Sequence, residues 1–325
     1  MTVVDRPPTA DTGSTVAAAA LVSVVLWASA FVAIRYAGRQ VGPGELALGR
    51  LAVGSVALGI AMLVSRERVP RGRALGYAAL SGLLWFGVYN VALNAAEQRI
   101  DSGSAALLVN TGPLFLLVLA GLFLHEGFPR RLVGGSVISF AGVVLIGGAV
   151  SGHGVAATWA AALCLLAALA YALGLIAQKP ALRGASPLAI TWTACTVAAI
   201  ACLPWAPALV DQSRHAHLSD LLWIVYLGLG PTAIGFGCWT FALSKSSAGR
   251  LGILTYLVPP LTVLLGWILL SETPPLLALP GGILCLVGIA LSRGRASSRA
   301  ASTISRIASS ALRWWPRRMA SATRS

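Results

Sequence analysis

Apolar residues fall along this chain in ten long stretches, each ended by a short cluster of charge, proline or glycine. The stretches cover 16–36, 44–64, 74–95, 104–124, 132–150, 158–178, 187–209, 221–243, 251–270 and 276–291. An α-helix rises ~1.5 Å per residue and a bilayer core is ~30 Å thick, so each stretch approaches the length of one crossing. The pattern predicts an all-α integral membrane protein with ten transmembrane helices. The breaks fit: SRERVPRGR follows the second stretch, HEGFPRR the fourth and QKPALRGASP the sixth. Glycine and proline inside such helices are tolerated because neighbouring helices satisfy the freed backbone groups. The opening MTVVDRPPTA lacks the basic start and apolar core of a cleavable signal, so the run beginning near Val16 reads as the first span.

The chain also repeats itself. Sliding it by 146 residues lays SGSAALLVNTGPLFLLVLAGLFLHEGFP, from Ser102, over AGRLGILTYLVPPLTVLLGWILLSETPP, from Ala248. Pro113 then meets Pro259, Glu126 meets Glu272, Gly135 meets Gly281, Ser139 meets Cys285 and Gly142 meets Gly288. A slide of 144 lays Trp27 on Tyr171 and Arg35 on Lys179. Leucine on leucine means little in so apolar a chain; proline, glutamate and glycine at one offset mean much more. The expected organisation is a segment 1–15, a first repeat 16–150, a second repeat 157–292 and a tail 293–325. Five spans per repeat is an odd number, so the second enters the membrane from the opposite side. Two inverted five-helix repeats are a plan common among secondary transporters, with the substrate held near the midplane where the halves meet.

Composition agrees. The chain of 325 residues is 57% hydrophobic and only 10% charged, against roughly 25% charged in soluble domains. A net charge of +14 invites a nucleic-acid reading, but eight of the 24 basic residues lie in 293–325, where there is no acid. Such a tail suits anionic lipid headgroups or a topogenic signal, and no nucleic-acid partner is expected. With the N-terminus in the cytoplasm, nineteen Lys and Arg fall inside and four outside, Arg50 lying within a helix. The positive-inside rule therefore places both termini in the cytoplasm of a multi-pass protein of the cell (inner) membrane. All five cysteines sit inside apolar runs and none forms a CxxC, so neither zinc nor a disulfide framework is expected.

These motifs resemble the drug/metabolite transporter superfamily, in its ten-helix branch with two EamA-type domains, over roughly residues 16–292. In the first half the marks are LWASAFVAIRYA, LALGRLAVG and the run from TGPLF to LHEGF followed by GGSVISFAGVVLI. In the second they are LAYALGLIAQK, GPTAIGFGCWTFALSKSSAG and YLVPPLTVLLGWILLSE followed by GGILCLVGIALS. The paired P-x12-E blocks are the more specific part. The resemblance implies a membrane transporter, often an exporter, and does not name its cargo.

The chemistry-bearing residues each admit two readings. Glu126 and Glu272 are proton carriers or, more in keeping with their place at opposite faces, anions at the start of the next helix, where the dipole favours them. Arg50 lies about two turns into the second span, where it either orients that helix or faces substrate. The family pattern carries an arginine there too. Asn90, Asn94 and Glu97 share one face of the third span, lining a cavity or bonding to a neighbour. If protons drive transport, Glu97 is the best-placed carrier. Asn110 and Thr111 before Pro113, and Thr255 and Tyr256 before Pro259, mark helix breaks near mid-membrane, where a discontinuous-helix site would be built. Trp27 and Tyr171 are repeat partners too deep for an interfacial belt.

A substrate site is therefore expected from Trp27, Arg50, Tyr89, Asn90, Asn110, Thr111, Tyr171, Thr232, Trp239, Thr255 and Tyr256. With few charges it should favour neutral, zwitterionic or amphipathic solutes, unless Arg50 points inward. Catalytic motifs are missing: HEGFP is not HExxH, and there is no DxxxD, G-x-S-x-G or Walker sequence. No cofactor or metal is expected. The leading reading is a secondary transporter exporting a small organic solute, an amino acid, metabolite or drug-like compound, by alternating access. The alternative is an integral-membrane enzyme acting on a lipid or isoprenoid.

Overall fold

The structure, a computed structural model, describes residues 10–116, 119, 130–151, 155–246, 251 and 254–292. Among these every regular element is helical. The first half supplies α1 (Ala10–Ala37), α2 (Pro43–Val64), α3 (Gly72–Glu97), α4 (Ser102–Val109, resuming over 112–116) and α5 (Arg130–Ser151). The second supplies α6 (Val155–Ala181), α7 (Pro187–Ala201), α8 (Leu218–Lys245), α9 (Val258–Leu270, entered through a 3-10 turn) and α10 (Ala278–Ser292). Local chemistry sets the starts. Pro43 and Pro187 sit in the first turns of α2 and α7, where a missing N–H costs nothing. Asp101 caps α4 by accepting from the Ser104 N–H at 2.8 Å.

Five helices are long and apolar enough to cross a membrane, or six if α7 is counted with the limb that follows it. Ten crossings on that criterion are thus not seen among the described residues. The helices over Val133–Ile146, Thr255–Leu270 and Ala278–Gly288 are apolar but shorter. The seventh stretch also departs from expectation. Instead of a loop beyond Leu209, a second helical limb, Leu203–His215, leaves α7 at 50°. Pro204 lies at that bend and has no N–H to continue the ladder. Apolar side chains face outward along several helices, including Val56 and Ile60 on α2, Phe140 on α5 and Trp267 on α9. Lipid tails suit such a surface and water does not.

The internal repeat is visible in bonding. Arg35, ending α1, donates from Nη1 to the Glu97 carbonyl at 2.6 Å; Lys179, its partner 144 residues on, donates from Nζ to the Leu243 carbonyl at 2.5 Å. Glu97 and Leu243 are themselves 146 apart. π-helical turns open at Gly82 in α3 and at Gly228 in α8, again 146 apart. Each glycine meets the helix equivalent to α2 or α7 from the other half. A Cβ on Gly82 would lie 2.8 Å from Ala194 Cα, and one on Gly228 2.8 Å from the Arg50 carbonyl.

α5 and α10 pack as a symmetric pair. Ser139 Oγ donates to the Cys285 carbonyl at 3.1 Å, and Cys285 Sγ donates to the Ser139 carbonyl at 3.2 Å. On either side Gly142 abuts Gly281 and Gly288 abuts Gly135. The contact numbers rise on one helix as they fall on the other, so the two are antiparallel. Small residues at these crossings let backbones touch.

Candidate functional site

Between the halves lies a cavity of about 650 Å³, counting its open mouth. Its walls come from α1, α2, α3 and α4 on one side and α6, α8 and α9 on the other. One wall is aromatic. Trp27 lies 5.3 Å from Phe236 between ring centroids, and Trp85 lies 5.0 Å from Phe236 and 5.1 Å from Tyr171. Trp239 is completely buried behind them, 5.0 Å from Trp27. Tilted and edge-on pairs of this kind contribute ~0.5–1.5 kcal/mol each beyond burial, which makes the wall stiff.

The two proline breaks form another wall. Pro259 has no N–H for the Thr255 carbonyl four residues back, and the chain tightens there into a 3-10 turn over Thr255–Leu257. The Asn110 side-chain amide crosses from α4 and donates to that same carbonyl at 3.1 Å. Asn110 ends the first segment of α4, three residues before Pro113. Each break thus lies against the other, and Asn110, Pro113, Thr255 and Val258 all line the cavity.

Arg50 is the charge in the walls. It is 2% exposed, and its Nε donates to Thr232 Oγ1 at 3.1 Å. No carboxylate among the described residues lies within ion-pair distance of it. The cavity therefore carries a cation, and the largely uncharged site anticipated without an inward-pointing Arg50 is not what the structure holds.

Of the eleven residues expected at a substrate site, six line this cavity: Trp27, Arg50, Tyr89, Asn110, Tyr171 and Thr255. Five do not. Thr232 and Trp239 stand behind the wall as supports for Arg50 and Trp27. Thr111 donates back to the Leu108 carbonyl at 2.7 Å, Asn90 donates to the Phe86 carbonyl at 2.7 Å, and Tyr256 is half-buried outside the walls. The polar stripe of α3 is helix glue at its middle, Asn94 donating to the Pro43 carbonyl at 3.0 Å. Glu97 is fully buried, and neither carboxylate oxygen has a hydrogen-bond partner among the described residues. Trp85 and Phe236 are cavity residues that sequence reasoning missed. Trp85 shares a helix face with Tyr89 one turn on, which the sequence shows although only Tyr89 was expected at the site; Phe236 carried no such signal.

Glu272 bonds across the halves and not to its own next helix. Its Oε1 accepts from Arg35 Nε at 2.7 Å, and its Oε2 accepts from the Ser102 N–H at the start of α4. The anion does meet a helix N-terminus, but one belonging to the other repeat. Glu126 and the tail 293–325 lie outside the described residues.

Long apolar helices, lipid-suited faces and a central cavity walled by both halves define a multi-pass membrane protein built to hold a small solute. The chain belongs to the EamA-like transporter family, whose profile matches residues 14–148 and again 158–294. Among curated relatives, a probable terminal-alkyne amino-acid exporter of Streptantibioticus cattleyicolor is 37% identical over 86% of this chain and 94% of its own. An uncharacterized transporter of Bacillus subtilis is 32% identical over 81% of this chain and 86% of its own. A probable amino-acid metabolite efflux pump of Salmonella typhimurium is 26% identical over 83% and 92%. A solved crystal structure covering 86% of this chain and 96% of its own shares the fold, with a TM-score of 0.59 at 20% identity. The protein is a membrane transporter, and the enzyme reading is set aside.

Proposed function

We propose that the protein is a secondary transporter that exports a small organic solute of amino-acid or metabolite type by alternating access. The observation that carries this is the cavity itself, whose polar and aromatic walls are drawn from both halves at paired helix breaks. Symmetric bonds at constant sequence offset and the antiparallel α5–α10 pair support two inverted repeats, 16–150 and 157–292, with five spans each. In that arrangement equivalent mid-helix positions converge, and rocking of one half against the other exposes the site to each face in turn. The basic asymmetry favours both termini in the cytoplasm, with the tail against anionic headgroups. The names of the amino-acid exporter and efflux-pump relatives favour export. Glu97 is the proposed proton carrier, since intramembrane acids mark proton relays and its buried carboxylate is not tied up by a hydrogen bond among the described residues.

Cysteine accessibility tests the site. With the five native cysteines replaced, cysteine introduced at Asn110, Tyr171 or Thr255 is expected to react with a water-soluble maleimide. Val56→Cys and Ile60→Cys, which face outward, are expected not to react. Equal labelling at cavity and outward positions would refute the site.

A further inference from the structure

Arg50 has been placed by the fold with most of its bonding capacity unused. A guanidinium carries five N–H donors. The Nε–H goes to Thr232, and the four N–H groups on Nη1 and Nη2 have no partner among the described residues. Burying a cation without partners is unfavourable, and within a membrane-spanning helix water is a poor substitute partner. Arg35 shows the contrast: it bonds Glu272 and the Glu97 carbonyl.

We infer that Arg50 is the anchor for a carboxylate on the transported solute, taken end-on by Nη1 and Nη2 while the solute's apolar part lies against Trp27, Trp85 and Phe236. This rests on the transporter reading above and deepens it to a substrate class: organic monocarboxylates with an apolar body, amino acids among them. Thr232 is a positioning residue. By occupying Nε it removes the side-on mode and leaves the fork at the tip of the guanidinium, which matches the two oxygens of a carboxylate. A dianion such as a phosphate ester fits worse. Among the described residues no second cation lines the cavity to balance its further charge.

The test is binding by the purified full-length protein, read by tryptophan emission, since Trp27 and Trp85 line the cavity. The probes are L-leucine, L-leucinamide, which lacks the carboxylate, 4-methylpentanoate, which lacks the amine, and inorganic phosphate. Wild type is expected to bind L-leucine and 4-methylpentanoate about tenfold or more tighter than L-leucinamide, as a charge-assisted paired bond implies. Phosphate is expected to be the weakest. Arg50→Gln is expected to abolish that preference while moving L-leucinamide affinity by less than about twofold, and Arg50→Lys to keep part of it. Thr232→Val, which leaves the charge in place, is expected to narrow the preference without changing L-leucinamide, and it serves if Arg50→Gln does not fold.

A purely structural Arg50 would weaken acid and amide alike. That result, or acid and amide equal in wild type, or no response to either acid up to about 50 mM, would overturn the anchor. Carrier activity is read separately. Saturable flux of L-leucinamide with the acids ignored would leave a transporter without this anchor. Arg50-dependent acid binding with no flux of any probe would leave the anchor and remove the alternating-access export of such acids proposed above.

Discussion

Three charged side chains at the repeat interface show how much a residue's setting decides its role. Arg35 closes a bond to Glu272 at 2.7 Å across the halves, with both side chains partly shielded. Arg50, one helix away, has a single neutral partner. Glu97 has none for its carboxylate although its own carbonyl accepts from Arg35. In the sequence the repeat offset picked out Arg35, depth within a span Arg50, and helical spacing Glu97. Their difference was not legible there, because which way a long side chain turns depends on how the neighbouring helices are rotated. Glu97 is where the distinction has most consequence for coupling. If it carries the proton, Glu97→Gln in proteoliposomes loses flux driven by a pH gradient and retains exchange of solute for solute. Unchanged pH-driven flux in that variant would remove Glu97 from the mechanism.

Among the elements, α5 and α10 depend most on the absence of side chains. A Cβ on Gly142 would lie 2.6 Å from the Cys285 nitrogen and 2.8 Å from its sulfur, while one on Gly148, farther along α5, would meet nothing within 4 Å. Gly142→Ala is therefore expected to destabilise by about 1–3 kcal/mol, the range for overpacking. Gly148→Ala should stay within about 1 kcal/mol of wild type, since only helix propensity changes. Denaturation of the two variants side by side in detergent checks this, and equal stability would contradict the packing. The sequence pattern exposed these helices and their glycine spacing, along with both proline breaks. It did not expose the π turns at Gly82 and Gly228, which depend on a partner backbone approaching from the other half. The 50° bend after α7 was hidden for a simpler reason: apolar residues continue through LPW, so hydropathy ran straight past Pro204.

Across the whole molecule the repeat was the most legible feature, because proline, glutamate and glycine recur at one offset where leucine carries no information. That offset pairs Pro113 with Pro259, and the two breaks meet where the Asn110 amide donates to the Thr255 carbonyl. Orientation is argued from charge counts, and reporter fusions test it. A fusion after Ser302 should report cytoplasm and one after Ala216 the outside, whereas cytoplasmic activity after Ala216 would break the ten-span arrangement.

The central claim, a carrier working through a two-sided cavity, meets its most direct test in counterflow. Proteoliposomes loaded with unlabelled L-leucine and diluted into radiolabelled L-leucine should take up label transiently, faster than empty vesicles. The uptake should saturate with outside concentration, and the solute should be recovered chemically unchanged. The same is expected in turn for other amino acids with apolar side chains until the best cargo is found. Label entry that never saturates and is indifferent to trans solute, across the whole panel, would indicate a pore and contradict the account.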